Sequence, residues 1–125
     1  MKYLLDTHAM IWFVEDSPKL PKSIYSSIIN GENFVSAVSL WEVAIKMNIN
    51  KFTFDGGFSP FFEIVKKSGF EILPIKPEHL KGLMKLPLIH RDPFDRLIIS
   101  TAVSENILLL TNDDNIQKYD VKWAW

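Results

Sequence analysis

Tyr3-Leu4-Leu5-Asp6-Thr7, Ser39-Leu40-Trp41-Glu42, Asp92-Pro93-Phe94-Asp95-Arg96 and Leu110-Thr111-Asn112-Asp113 each put a carboxylate where an apolar strand ends or a helix begins. In an open parallel sheet, the boundaries at the carboxyl ends of the strands converge on one crevice, where such folds bind their ligands. Between these phrases strand-like and helix-like patterns alternate. Residues 2–5 read as a buried strand, followed by a helix through Ala9 to Val14. Pro18 and Pro21 precede a helix with Ile24, Ile28 and Ile29 on one face, which Asn30-Gly31 ends. Phe34 to Val38 is the second strand, and Leu40, Val43, Ala44 and Met47 recur at helical spacing from Ser39 to about Ile49.

After the turn Asp55-Gly56-Gly57, the residues Phe58, Phe61, Phe62 and Val65 make a helical stripe. Glu71 to Ile75 is the third strand, and Pro77 opens a helix carrying Leu80, Leu83 and Met84. Phe94, Leu97, Ile98, Thr101 and Ala102 mark a longer helix, and Ile107 to Leu110 is the fourth strand. A short helix after Asp113 and a last strand near Val121 to Trp123 complete the pattern. This alternation specifies an α/β fold, a three-layer α/β/α sandwich around a five-stranded, mainly parallel sheet. With 125 residues, no internal repeat and no linker, residues 1–125 read as a single domain.

The absence of cysteine excludes disulfides, thiolate zinc sites and a cysteine nucleophile, so any metal must sit on oxygen or imidazole. A net charge of −1 offers no global basic field for nucleic acid. Once the boundary acids are set aside as cation ligands, however, Lys46, Lys51, Lys81, Lys85, Arg91 and Arg96 leave the surface near the motifs basic. Asp6, Thr7 and His8 interrupt the opening apolar run before a signal-peptide core develops. The run Leu97 to Leu110 contains Ser104-Glu105-Asn106 and is too short to span a bilayer. The chain is therefore expected to be soluble and cytoplasmic.

Most of the acids have a local explanation. Ser39-x-x-Glu42 is a capping-box pattern, and Asp92-Pro93-x-Asp95 reads as N-cap, proline at N1 and an acid favoured by the helix dipole. Asp113 can cap the short helix after strand four. Capping explains Asp6 least, since it directly follows an apolar strand. Taken together the acids share one rim. Like charges about 4 Å apart at an effective dielectric near 20 repel by roughly 4 kcal/mol per pair, so a cation must offset them. Hard oxygen ligands suit Mg²⁺ or Mn²⁺, and such ions activate water and stabilise a leaving oxygen in phosphodiester hydrolysis.

The phrases Leu4-Leu5-Asp6-Thr7-His8, Ser39-Leu40-Trp41-Glu42-Val43-Ala44-Ile45-Lys46, His90-Arg91-Asp92-Pro93-Phe94-Asp95-Arg96 and Leu110-Thr111-Asn112-Asp113, in this order and spacing, resemble the PIN-domain ribonucleases of the VapC toxin type. The resemblance runs from Tyr3 to the last strand and implies metal-dependent RNA cleavage by hydrolysis. It carries the family's four acids onto Asp6, Glu42, Asp95 and Asp113, as catalytic and metal-binding residues, and its small hydroxyl positions onto Thr7 and Thr111. Asp92 is a supporting acid, and Asp114 is the neighbouring alternative to Asp113. It further implies a homodimer and a cognate antitoxin that covers the crevice.

Lys46, Arg91 and Arg96 are candidates to clamp RNA phosphate, with a salt bridge to a neighbouring acid as the competing role, notably for Arg96 beside Asp95. His8 reads as a packing residue, and His79 and His90 as surface residues without a partner at ligand spacing. Trp41 is expected in the core, and Trp123 and Trp125 in the core or an interface. Two other functions compete. A phospho-acceptor receiver domain needs an acidic pair after strand one and a lysine after the last strand, whereas Asp6 has no acidic neighbour and Lys122 falls within the last strand. A non-enzymatic binding module on the same fold has no need of four acids.

Overall fold

Successive residues of a strand face opposite sides of the sheet, and the register here turns that alternation into two separate cores. The computed structural model describes residues 1–125. It comprises β1 (Lys2–Leu5), α1 (Thr7–Val14), α2 (Lys22–Asn30), β2 (Glu32–Ser36), α3 (Ala37–Asn48), α4 (Phe58–Lys67), β3 (Glu71–Leu73), α5 (Pro77–Lys85), α6 (Pro93–Glu105), β4 (Leu108–Leu110), α7 (Asp114–Gln117) and β5 (Trp123–Ala124). The strands form one sheet in the order β3-β2-β1-β4-β5, and every pairing is parallel.

Leu4 of β1 pairs with Phe34 and Leu109, and Leu5 with Val35 and Leu110. Leu4, Phe34 and Leu109 pack under α6 and α7 with Leu97, Ile98, Ala102 and Ile116. Leu5, Val35 and Leu110 pack on the other face, with Ala9, Ile28, Phe61 and Val65 of the helices α1, α2 and α4. Helix α3 serves both layers, through Val38 on one side and Val43 on the other. The expected three-layer α/β/α sandwich is thus present. Chain order reverses beside β1, where β2 lies on one flank and β4 on the other. That switch point opens a crevice at the carboxyl ends of β1 and β4.

Several boundaries differ from the sequence reading, each for a local reason. Strand β2 ends at Ser36 rather than Val38, because the Ser36 hydroxyl accepts the Val38 N–H and starts α3 there. Strand β3 stops at Leu73, short of Ile75, since Pro74 has no N–H for the ladder. The last strand is Trp123–Ala124, and Lys122 lies just before it, its carbonyl accepting from Leu109 N–H.

Helix α5 is rotated relative to its expected face. Leu80 and Met84 are exposed, while His79 is fully buried against α6. There Nε2 of His79 donates to Glu105 at 2.8 Å, its Nδ1 accepts the Lys76 N–H, and its carbonyl accepts the Ser100 hydroxyl. Trp41 is not in the core: it is 59% exposed and meets Phe94 of α6 edge-on. Trp125 packs on Trp12, whereas Trp123 is 41% exposed. No helix is long and apolar enough to cross a membrane.

Candidate metal centre

Asp6 follows β1 immediately, and its N–H still donates to the Leu110 carbonyl of β4, so the sheet itself sets its position. The carboxylate is 3% exposed and bonded at both oxygens. Oδ1 accepts the Ala9 N–H at 2.8 Å, capping α1, and Oδ2 accepts the Thr111 hydroxyl at 2.6 Å. The acid that capping was expected to explain least is therefore a true N-cap as well. Thr111 follows β4 directly, and its hydroxyl also accepts the Asp113 N–H at 3.1 Å. One hydroxyl thus ties the loop after β4 to the acid after β1. Asp113 Oδ1 caps α7 through the Asn115 and Ile116 N–H groups, and Asp114 is exposed.

Glu42 is contributed by α3, but not from its first turn. The helix begins at Ala37 with Ser36 as its cap, so the Ser39-x-x-Glu42 capping box does not form. Ser39 instead accepts the Thr7 hydroxyl at 3.0 Å, a buried bond that fastens α1 to α3. Thr7, expected beside the metals, gives its hydroxyl proton to that helix contact. Glu42 lies a turn further on, buried, with Oε2 at 3.0 Å from Lys46 and Oε1 without any hydrogen-bond partner. Lys46 is therefore committed to the acid four residues before it.

Asp95 sits in the first turn of α6, where Asp92 accepts its N–H at 3.0 Å as the sequence pattern predicts. Its Oδ2 lies 3.2 Å from Nε2 of His90. His90, expected to be a partnerless surface residue, is thus directly attached to a boundary acid. The signal was invisible in sequence because its second partner, Tyr119, is 29 residues away. Arg96 does not pair with Asp95; its guanidinium donates to the Pro87 carbonyl and the Tyr119 hydroxyl. Arg91 remains exposed, and His8 is exposed with its ring stacked on Trp12.

Asp6 and Asp95 each sense the charges of Asp113 and Glu42. Burial pushes the Asp6 carboxyl up to about 6, opposed by its hydrogen bonds to Thr111 and Ala9 and reinforced by the charges of Asp113 and Glu42. Burial likewise pushes Asp95 up to about 6, with the Asp92, Asp113 and Glu42 charges adding to it and the His90 bond opposing it. Asp113 and Glu42 therefore repel both of the others across a common space. Asp6 and Asp113 share a cleft of about 230 Å³ with His8, Trp12 and Asn112. No three acidic or imidazole side chains lie together at metal-ligand spacing in the structure. The donor set is nevertheless all oxygen, and the buried Glu42 Oε1 lacks the partner that such an atom requires. These residues fit a hard divalent cation.

No curated protein sequence matches the chain. Among solved structures, VapBC2 from Rickettsia felis bound to a DNA fragment from their promoter has a similar chain, with a TM-score of 0.77 at 19% identity over 99% of this chain and 98% of that one. A toxin–antitoxin complex from Klebsiella pneumoniae gives a TM-score of 0.70 at 14% identity, covering 98% of this chain and 96% of that one. The PIN domain endonuclease Utp24 gives 0.53 at 18% identity, covering 93% and 74%. At these identities the likeness speaks for the fold. The PIN domain family itself matches residues 3–122, a span that begins in β1 and ends just before β5. The sheet order and this near-complete match agree: the chain belongs to the PIN domain family.

Proposed function

We propose that this protein is a Mg²⁺- or Mn²⁺-dependent endoribonuclease and the toxin of a toxin–antitoxin pair, with Asp6, Glu42, Asp95 and Asp113 as its cation ligands. The observation that carries the reading is the buried Glu42 Oε1 left without a partner, together with the repulsion that Asp6 and Asp95, from two other elements, each receive from Glu42 and Asp113. Carboxylates as buried as Asp6 and Glu42 cost stability unless a cation offsets them. When bound, a divalent cation supplies charge neutralisation for the phosphodiester oxygens and makes water more acidic.

The chain's own residues do the rest. Thr111 holds the Asp6 carboxylate and the Asp113 backbone in a fixed relation. Asp92 fixes the backbone of Asp95, and Lys46 compensates Glu42 while no cation is bound. Arg91, exposed on the loop before α6, is free to meet RNA phosphate. Support for the nuclease class comes from family membership and from the similarity to an endonuclease. Support for a cognate antitoxin comes from similarity to chains of VapBC2 and of a toxin–antitoxin complex. A homodimer in the cytoplasm completes the proposal.

A receiver domain is disfavoured by the sheet order, since receivers of the CheY type have the order 2-1-3-4-5, whereas here β1 lies between β2 and β4. The deciding experiment incubates the purified chain with single-stranded RNA in chelator-treated buffer, with and without Mg²⁺ or Mn²⁺. Cleavage that needs the cation, and that Asp6→Asn removes while the fold is retained, is the expected result. Cleavage by Asp6→Asn at the wild-type rate contradicts the assignment. A chain that neither cuts RNA nor binds Mn²⁺ is a binding module instead.

A further inference from the structure

Tyr119 is 4% exposed and follows α7, and groups of Arg96 and His90 meet at its hydroxyl. The Arg96 guanidinium donates to it at 3.0 Å and the His90 backbone N–H at 3.2 Å. Nδ1 of His90 lies 2.9 Å away, and the other ring nitrogen, Nε2, lies 3.2 Å from Asp95 Oδ2. Donor counting fixes the protons. Guanidinium and backbone N–H can only donate, so they fill both acceptor positions of the phenol oxygen. The phenol proton then has two acceptors to choose between, Nδ1 at 2.9 Å and the His90 carbonyl at 3.4 Å, and the nearer one takes it. Nδ1 is therefore an acceptor, and the ring proton resides on Nε2, facing Asp95.

We infer that His90 is a positioning residue: held by Tyr119 and Arg96 with its ring proton on Nε2, it donates to Asp95 Oδ2 and turns Oδ1 toward the cation site. This rests on the reading of Asp95 as a cation ligand. No other hydrogen bond of the chain reaches the Asp95 carboxylate, so without His90 only rotamer preference orients it. Arg96 adds a second anchor, because the same guanidinium holds the Pro87 carbonyl at 2.8 Å and so pins the loop that carries His90. The arrangement follows the general design in which hydrogen bonds to a metal-binding carboxylate orient it, and losing such a partner costs about 10–100-fold in metal affinity or activity.

The test begins with nitrogen-detected NMR of the histidine rings in the cation-free protein. His90 is expected to show a protonated Nε2 and an unprotonated Nδ1, and Tyr119→Phe is expected to convert it to a mixture of tautomers. Mn²⁺ titration of wild type, His90→Ala, His90→Gln and Asp95→Asn follows. His90→Ala should weaken Mn²⁺ binding by about tenfold or more and lower kcat with little change in KM for RNA. His90→Gln, whose amide nitrogen can still donate to Asp95, should recover most of the affinity. A wild-type ring protonated at Nδ1 overturns the inference outright. If Asp95→Asn loses Mn²⁺ while His90→Ala binds it normally, the positioning role fails and the site stands. If Asp95→Asn binds Mn²⁺ unchanged, the reading of Asp95 as a ligand fails first, and the role of His90 with it.

Discussion

Asp6 carries two duties that pull in opposite directions. As an N-cap it needs only an acceptor oxygen, and Asn serves at that position about as well as Asp. As a cation ligand it must be an anion, and burial together with Asp113 and Glu42 makes that anion costly in the cation-free chain. Raising a carboxyl from 3.8 to about 6 corresponds to about 3 kcal/mol at neutral pH, taking 1.36 kcal/mol per pH unit. Asp6→Asn removes that charge, keeps the bond to Ala9 and weakens the one from Thr111. Without cations at pH 7.5 the variant is thus expected to melt above the wild type, by about 1–2 kcal/mol in stability, while losing cleavage and any response to Mn²⁺. Thermal melts by circular dichroism in chelator decide it, and a variant that melts below wild type would show that Asp6 is a structural acid only. Glu42 differs, since Lys46 already compensates one of its oxygens.

At the scale of elements, the contact that fixes α6, and with it Asp95, is the close approach of α5. Gly82 makes this possible: a Cβ there would meet the Ser100 hydroxyl at 2.6 Å. That hydroxyl cannot simply swing away, because it donates to the His79 carbonyl. Gly82→Ala, which raises helix propensity by about 1 kcal/mol, should therefore destabilise the protein, by roughly 1–3 kcal/mol for an overpacked helix contact. Adding Ser100→Ala should recover part of the loss, and chemical denaturation of both single variants and the double variant measures the coupling. Equal stability of Gly82→Ala and wild type would mean that the helices can part freely. This packing was not legible in the sequence, where Leu80 and Met84 carried the apolar stripe and His79 read as polar surface. Burial of His79 depends on Glu105, 26 residues away. What local chemistry controls was legible: the apolar strands, the Asp92-Pro93 start of α6, and Asp6, Asp95 and Asp113 at their element boundaries. The α3 start was misplaced because Ser36 and Ser39 both have cap chemistry, and only the Thr7 partner tells them apart. His90 escaped for the same reason, its role being conferred by Tyr119.

For the whole molecule, these charges set a pH optimum that a cation should move. Asp6 and Asp95 have folded values near 6, above their ordinary 3.8, so their contribution to stability is complete below about pH 4 and is lost as pH rises through 6. Glu105 has the opposite sign. His79 and then Lys76 hold it below its ordinary 4.5, so its contribution is present above that value and is lost on further acidification. On these groups the cation-free chain should therefore be more stable at pH 5 than at pH 7.5. Mg²⁺ or Mn²⁺ reverses the trend at the neutral end, because it binds the ionised acids of the native state only. A cation at a hundredfold excess over its Kd stabilises by about 2.7 kcal/mol. For a domain of this size that raises Tm on the order of 10 °C. At pH 5 protons compete for the same oxygens, and the increment should shrink to a degree or two. Differential scanning calorimetry at both pH values, with chelator or with Mn²⁺, measures all four states. An increment equal at pH 5 and 7.5 would mean that the cation binds somewhere other than these carboxylates, and no increment at either pH would remove the metal from the proposed chemistry.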